Sequence, residues 1–192
     1  MIDRRSVLKL GAAGVAGAVV GMRGSLLEAA GTGTPSPLYR AVFDARVEEG
    51  VAFADELRRR GVTTSRIGVD LASLWYGDLQ ERLHHGPAPI AGLTDRATLF
   101  CLEELARGAG MKVLYRIDHL IDEHGQVEHD AAGPDAIVAS ARTLGRRSEF
   151  GRAMAVLASR IQLDERWDTA AVKRTGPFSP ERKTALVSWV IA

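Results

Sequence analysis

From Leu38 to the C-terminus, short apolar runs alternate with longer segments whose apolar residues recur at helical spacing. A chain written this way must bury strands between helices, which confines it to a layered α/β fold. Residues 38–43 read as a strand ending at Asp44, and Val47 to Arg60 as a helix with Val47, Val51, Ala54 and Leu57 on one face. Glu48 and Glu49 in its first turn, Arg58 to Arg60 in its last and Gly61 just beyond suit the helix macrodipole and a glycine C-cap. The three arginines are therefore expected to form a solvated helix end and not an anion site. Arg66 to Leu71 gives a second strand, and Trp75 to His85 a short helix stopped by Pro87 and Pro89. Ile90 to Leu93 is a short strand or a loop, and Thr94 stands where it can cap a helix running to Arg107. In that helix Ala97, Cys101 and Leu105 share a face, which places the single cysteine in the core. Met111 to Ile117 is a strand, and a turn at Glu123-His124-Gly125 returns Gln126 to Asp130 as a hairpin. Helices over Asp135 to Leu144 and Ser148 to Ile161 precede an apolar last strand, Thr184 to Ile191. The fold expected is a single three-layer α/β domain over residues 38–192, its sheet largely parallel and flanked by helices, with an antiparallel hairpin at the edge.

The first 31 residues differ in kind. Arg4 and Arg5 are followed by Val7, Leu8 and Lys9, then by the weakly apolar, glycine-rich residues 10–22, and by small residues at Ala29-Ala30-Gly31. This order resembles the twin-arginine class of bacterial export signals. The resemblance covers residues 1–31 alone, and Asp3 stands where that class usually has Ser or Thr. It implies passage through the twin-arginine translocation machinery, cleavage near residue 31 and a periplasmic or secreted destination. The apolar stretch is shorter than the roughly 20 residues a membrane-spanning helix needs. The mature domain is thus not expected to span a membrane, and residues 32–37, Thr-Gly-Thr-Pro-Ser-Pro, read as a linker.

The whole chain carries 25 Lys and Arg against 24 Asp and Glu, a net charge of +1. Arg4, Arg5, Lys9, Arg23, Asp3 and Glu28 leave with the signal, so the remainder is close to −1. A near-neutral domain lacks the clustered cations that nucleic acid requires, and no nucleic-acid partner is expected. The sequence has no Gly-x-Ser-x-Gly elbow, phosphate loop, dinucleotide glycine fingerprint or cysteine motif for haem or iron–sulfur clusters. No cofactor is expected.

Two groups of residues could carry chemistry. In open α/β sheets, ligands bind beyond the carboxyl ends of the strands. There the reading places Asp44, Asp70, Thr94 and Arg116 or Asp118, with Trp75 as an apolar wall. The other group is His119, His124 and His129: a three-residue turn sets His119 directly opposite His129, within reach of a shared metal ion and a carboxylate. Two readings of function follow. One is an exported accessory or binding protein of the cell envelope, with an envelope protein as partner. The other is a small-molecule-binding protein or hydrolase using the strand-end carboxylates, with or without a histidine-bound metal.

Overall fold

The computed structural model describes residues 37–67, 71–122, 124–144, 147–161 and 184–192. The first strand, β1 (Arg40–Asp44), is buried from Ala41 to Asp44, as a strand covered on both faces must be. It leads into helix α1 (Glu48–Arg59), with the acidic first turn and basic last turn expected and Gly61 at φ 79° just past the end. Strand β2 (Thr63–Ile67) lies parallel to β1. It lies earlier in the chain than the expected 66–71, because the chain needs only Gly61 and Val62 to turn back from α1. A helical stretch then runs as α2 (Leu71–Leu74), a π-helical turn (Trp75–Leu79) and α3 (Gln80–Leu83). Residues 90–93, left between strand and loop by the sequence, form the wholly buried β3 (Ile90–Thr94), also parallel to β1. Helix α4 (Arg96–Gly108) follows, then β4 (Val113–Ile121) and β5 (Val127–Ala132), which make the expected hairpin, then α5 (Asp135–Thr143), α6 (Arg147–Ser159) and β6 (Thr184–Ile191).

These strands make one six-stranded sheet in the order β2-β1-β3-β6-β4-β5, with helices on both faces. The architecture is α/β, but the sheet is mixed where a largely parallel one was expected. Only β1–β2 and β1–β3 are parallel pairs; β3–β6, β6–β4 and β4–β5 are antiparallel. The reason is β6, which enters between β3 and β4 and opposes both. The hairpin takes the edge, with β5 outermost.

Two cores back the sheet. On one face Ala41, Phe43, Leu93, Ile117 and Val190 meet α1, α5 and α6 through Phe53, Leu57, Ile137 and Met154. On the other, Val42, Ile90, Val187 and Trp189 meet Trp75, Leu79, Leu99 and Leu102. Helix α1 buries Phe53, Ala54 and Leu57 but leaves Val51 on the outside, because its inner face turns toward α6 as well as the sheet. Glu56 is drawn into that contact and pairs with Arg59 and Arg60 of its own helix. Helix α4 likewise buries Thr98, Leu99, Leu102 and Ala106, whereas Ala97 and Cys101 face water. The core position expected for Cys101 is thus corrected. Among the described residues no helix is long and apolar enough to cross a membrane.

Two close contacts set limits on this packing. The Trp189 indole lies flat against Gly92 in the neighbouring strand, where a Cβ would overlap the ring. Tyr115 is buried in β4 with its hydroxyl unpartnered, and burial pushes its ionisation well above the ordinary phenol range. Gly92→Ala is expected to destabilise the fold by about 1–3 kcal/mol through overpacking, seen as a Tm several degrees lower in thermal denaturation. Tyr115→Phe should do the reverse: removing a buried hydroxyl with no partner is expected to stabilise by about 1 kcal/mol, read in the same assay.

Candidate functional site

The chain leaves β1 for β2 on one side and comes back to β3 on the other, so the carboxyl ends of β1 and β3 flank the crevice where open α/β sheets receive ligands. Asp44, the last residue of β1, is buried, yet its carboxylate is well served. Arg46 grips it with Nε to Oδ1 at 2.9 Å and Nη2 to Oδ2 at 2.6 Å, and the Arg46 backbone N–H donates to Oδ1 at 2.9 Å. The guanidinium so close to it is the largest influence on Asp44 and holds its carboxyl below the usual range, against the opposing effect of burial. Asp44 is therefore a fixed anion at neutral pH and not a proton donor. Arg46 also reaches Asp95 Oδ2 at 3.4 Å, while its side chain remains 74 % exposed.

Asp95, not Thr94, caps α4: its Oδ1 accepts from the Thr98 N–H at 2.7 Å. Thr94 is instead the buried last residue of β3, accepting from Trp189 Nε1 at 3.1 Å and donating to the Asp95 carbonyl at 2.9 Å. The cap falls one residue later than expected because the strand continues through Thr94, whose hydroxyl is taken by the indole.

The row of charges extends across the sheet. Thr94 is in register with Val187 of β6, and Val187 with Asp118 of β4. Asp118 accepts from Arg96 Nε at 2.8 Å and from Arg116 Nε and Nη2, each at 3.0 Å. Three carboxylates, Asp44, Asp95 and Asp118, thus alternate with three guanidiniums, Arg46, Arg96 and Arg116, from β1 through the start of α4 to β4. Of the residues expected at the strand ends, Asp44 and Thr94 do end β1 and β3, but Arg116 and Asp118 lie within β4, because that strand runs on to Ile121 and does not stop at Ile117; Asp70 lies outside the described residues, as do Arg4 and Arg5. Trp75 does not wall the crevice. It is buried against the core under α4 and lines, with Tyr76, His84 and Glu104, a cleft of about 480 Å³ beside the C-terminal part of α4.

The histidines form a second arrangement. His119 and His129 are directly opposed in the hairpin, in the register expected, with Nδ1 to Nδ1 at 2.7 Å. Ser188 of β6 donates to Met154 Sδ at 3.1 Å, which leaves its oxygen to accept from His119 Nε2–H at 2.8 Å. His119 Nδ1 is then the acceptor for His129 Nδ1–H. Phe150 of α6 packs over both rings, with centroids 4.5 and 5.6 Å away. Burial, with His129 adding to it, holds His119 well below its ordinary pKa, so the ring is neutral. The inter-ring distance is that of a hydrogen bond; two nitrogens on one tetrahedral zinc would stand roughly 3.3 Å apart. His124 is exposed in the turn, and among the described residues no group of three His, Cys, Asp or Glu is arranged to hold a metal ion. Ser188 and His119 have a nucleophile–base separation, but both are fully buried, out of reach of any substrate.

No family model matches the chain, and comparison with curated proteins and with solved structures gives no match.

Protonation of His119 should be visible as acid sensitivity of the fold. Its folded pKa lies below the unfolded value of 6.5, so the unfolded chain takes up a proton that the native state refuses. That contribution is complete above pH 6.5 and is lost as pH falls toward the folded pKa, at up to about 1.4 kcal/mol per pH unit. Denaturation midpoints are expected to drop between pH 7 and pH 5, and His119→Gln should flatten that slope. Asp44 does not mimic the effect, because its carboxyl is held below the usual carboxylate range by Arg46 and its contribution is lost only at more acid pH.

Proposed function

We propose that this is an exported binding protein of the bacterial cell envelope, carried folded through the twin-arginine route to the periplasm or beyond. Its mature domain acts by holding an anionic group, the carboxylate or phosphate of a small molecule or of an envelope partner, at the crevice between β1 and β3. The observation that carries this reading is Arg46: a largely exposed guanidinium at the strand ends, steered by a buried carboxylate on one side and Asp95 on the other. Its Nε and Nη2 are fixed by the two carboxylates, which pre-organises the group and leaves Nη1 to donate to an incoming anion. Arg96 and Arg116 extend the same edge toward β4.

Binding fits better than hydrolysis. Asp44 is tied to Arg46 and held ionised, so it does not serve as a general acid near neutral pH. The serine and histidine close enough to act as nucleophile and base are sealed in the core.

The protein should melt at higher temperature in millimolar carboxylates or phosphates, and Arg46→Gln should abolish that ligand-induced shift; because the variant also removes the partner of the buried Asp44 carboxylate, its unliganded Tm should fall by several degrees, so each protein is compared with its own unliganded Tm. A panel with no shift for the parent, or an equal shift for both proteins, would sink the binding site. Export is tested separately: Arg4→Lys with Arg5→Lys should hold the protein in the cytoplasm of an expressing bacterium, and unimpaired export of that variant would remove the envelope assignment.

A further inference from the structure

The Arg46 guanidinium serves two carboxylates at once: Asp44 through Nε and Nη2, and Asp95 Oδ2 through Nη2 at 3.4 Å. Two anions on one cation leave this corner of the crevice with negative charge in excess, and the excess falls on Asp95. The Asp44 carboxylate is buried and fully engaged, with the Arg46 backbone N–H added to the two guanidinium bonds. The Asp95 side chain is 39 % exposed, and its Oδ1 alone meets the start of α4 by accepting from the Thr98 N–H at 2.7 Å. Among the described residues, Oδ2 has only the long contact to Arg46.

A simple anion taken up at Arg46 adds a charge of the sign already in excess. A ligand that brings a cation beside its anion does not. Arg46 Nη1 is used by neither aspartate, and it shares its carbon with Nη2, which lies 3.4 Å from Asp95 Oδ2. A carboxylate on Nη1 therefore puts an ammonium one carbon away within reach of Asp95 Oδ2, where a charge-assisted hydrogen bond can form. We infer that the crevice receives the head group of an α-amino acid, its carboxylate on Arg46 and its ammonium on Asp95. The inference rests on the anion site proposed above and narrows the ligand which that site takes. Asp44 is a positioning residue here, fixing the plane of the guanidinium from the buried side.

Calorimetric titration of the full chain tests this with pairs of probes that differ by the ammonium group: L-alanine and propionate, L-leucine and 4-methylpentanoate, L-phenylalanine and 3-phenylpropanoate, L-glutamate and glutarate. At least one amino acid is expected to bind about tenfold or more tightly than its partner carboxylate. Asp95→Asn removes the charge but keeps a side chain that caps a helix as well as aspartate does, so the Tm should stay within about a degree. In that variant the preference should shrink to about twofold or less while the carboxylates still bind. Carboxylates that bind as tightly as every amino acid tested, or a preference that survives Asp95→Asn, would overturn the inference and leave the anion site standing. No binding by either series would remove both.

Discussion

The contact between Trp189 and Gly92 joins two halves of the sheet that would otherwise be separate structures. On one side lie the parallel strands β2, β1 and β3; on the other lies the hairpin β4–β5. Strand β6 enters between them antiparallel to both, and its tryptophan is accepted only because β3 offers a residue without a side chain opposite it. The indole N–H then fastens Thr94 at the end of β3. A buried Trp contributes about 3–5 kcal/mol against truncation, which makes this contact a large share of the stability of an ordinary domain.

The charged row that runs from the ends of β1 and β3 to the middle of β4 depends on that junction. With β6 in place, Asp118 on β4 is brought into register with Val187, and Val187 with Thr94, so that Arg96 at the start of α4 can reach it. Without β6 the Asp44–Arg46–Asp95 group and the Arg116–Asp118 pair would belong to unconnected pieces. The same strand supplies Ser188 to the buried histidine pair on the opposite face. One strand therefore fixes both polar arrangements, one open to solvent and one closed.

What could be read in the sequence was what depends on local geometry. The opposition of His119 and His129 follows from the length of one turn, and β6 was evident as an apolar run, in the bounds later found. The order of strands was not legible, since where β6 inserts is decided by long-range packing of Trp189 and not by its neighbours in the chain. Cys101 is misplaced because the apolar pattern of α4 admits two faces and the one containing the polar Thr98 is buried, and Thr94 because β3 continues through it and gives its hydroxyl to Trp189. Arg46, Asp95 and Arg96 carried a fainter signal. Arg116-Ile-Asp118 is a charged pair two residues apart, spacing that in a strand puts the partners on one side, and Asp44-Ala-Arg46 has the same spacing but meets through the turn that follows β1. Ser188 is a hydroxyl in an otherwise apolar stretch of β6, and only its contact with His119 gives it meaning.

The claim that the strand-end crevice is the working surface is most directly tested by NMR titration of the isotopically labelled protein with phosphate and with small carboxylates, following backbone amides and arginine Nε–H signals. Saturable shifts centred on Arg46, Asp95 and Arg96, small elsewhere on the sheet, are the expected result. Shifts gathered instead around Tyr76, His84 and Glu104, or none at all up to high ligand concentration, would contradict it.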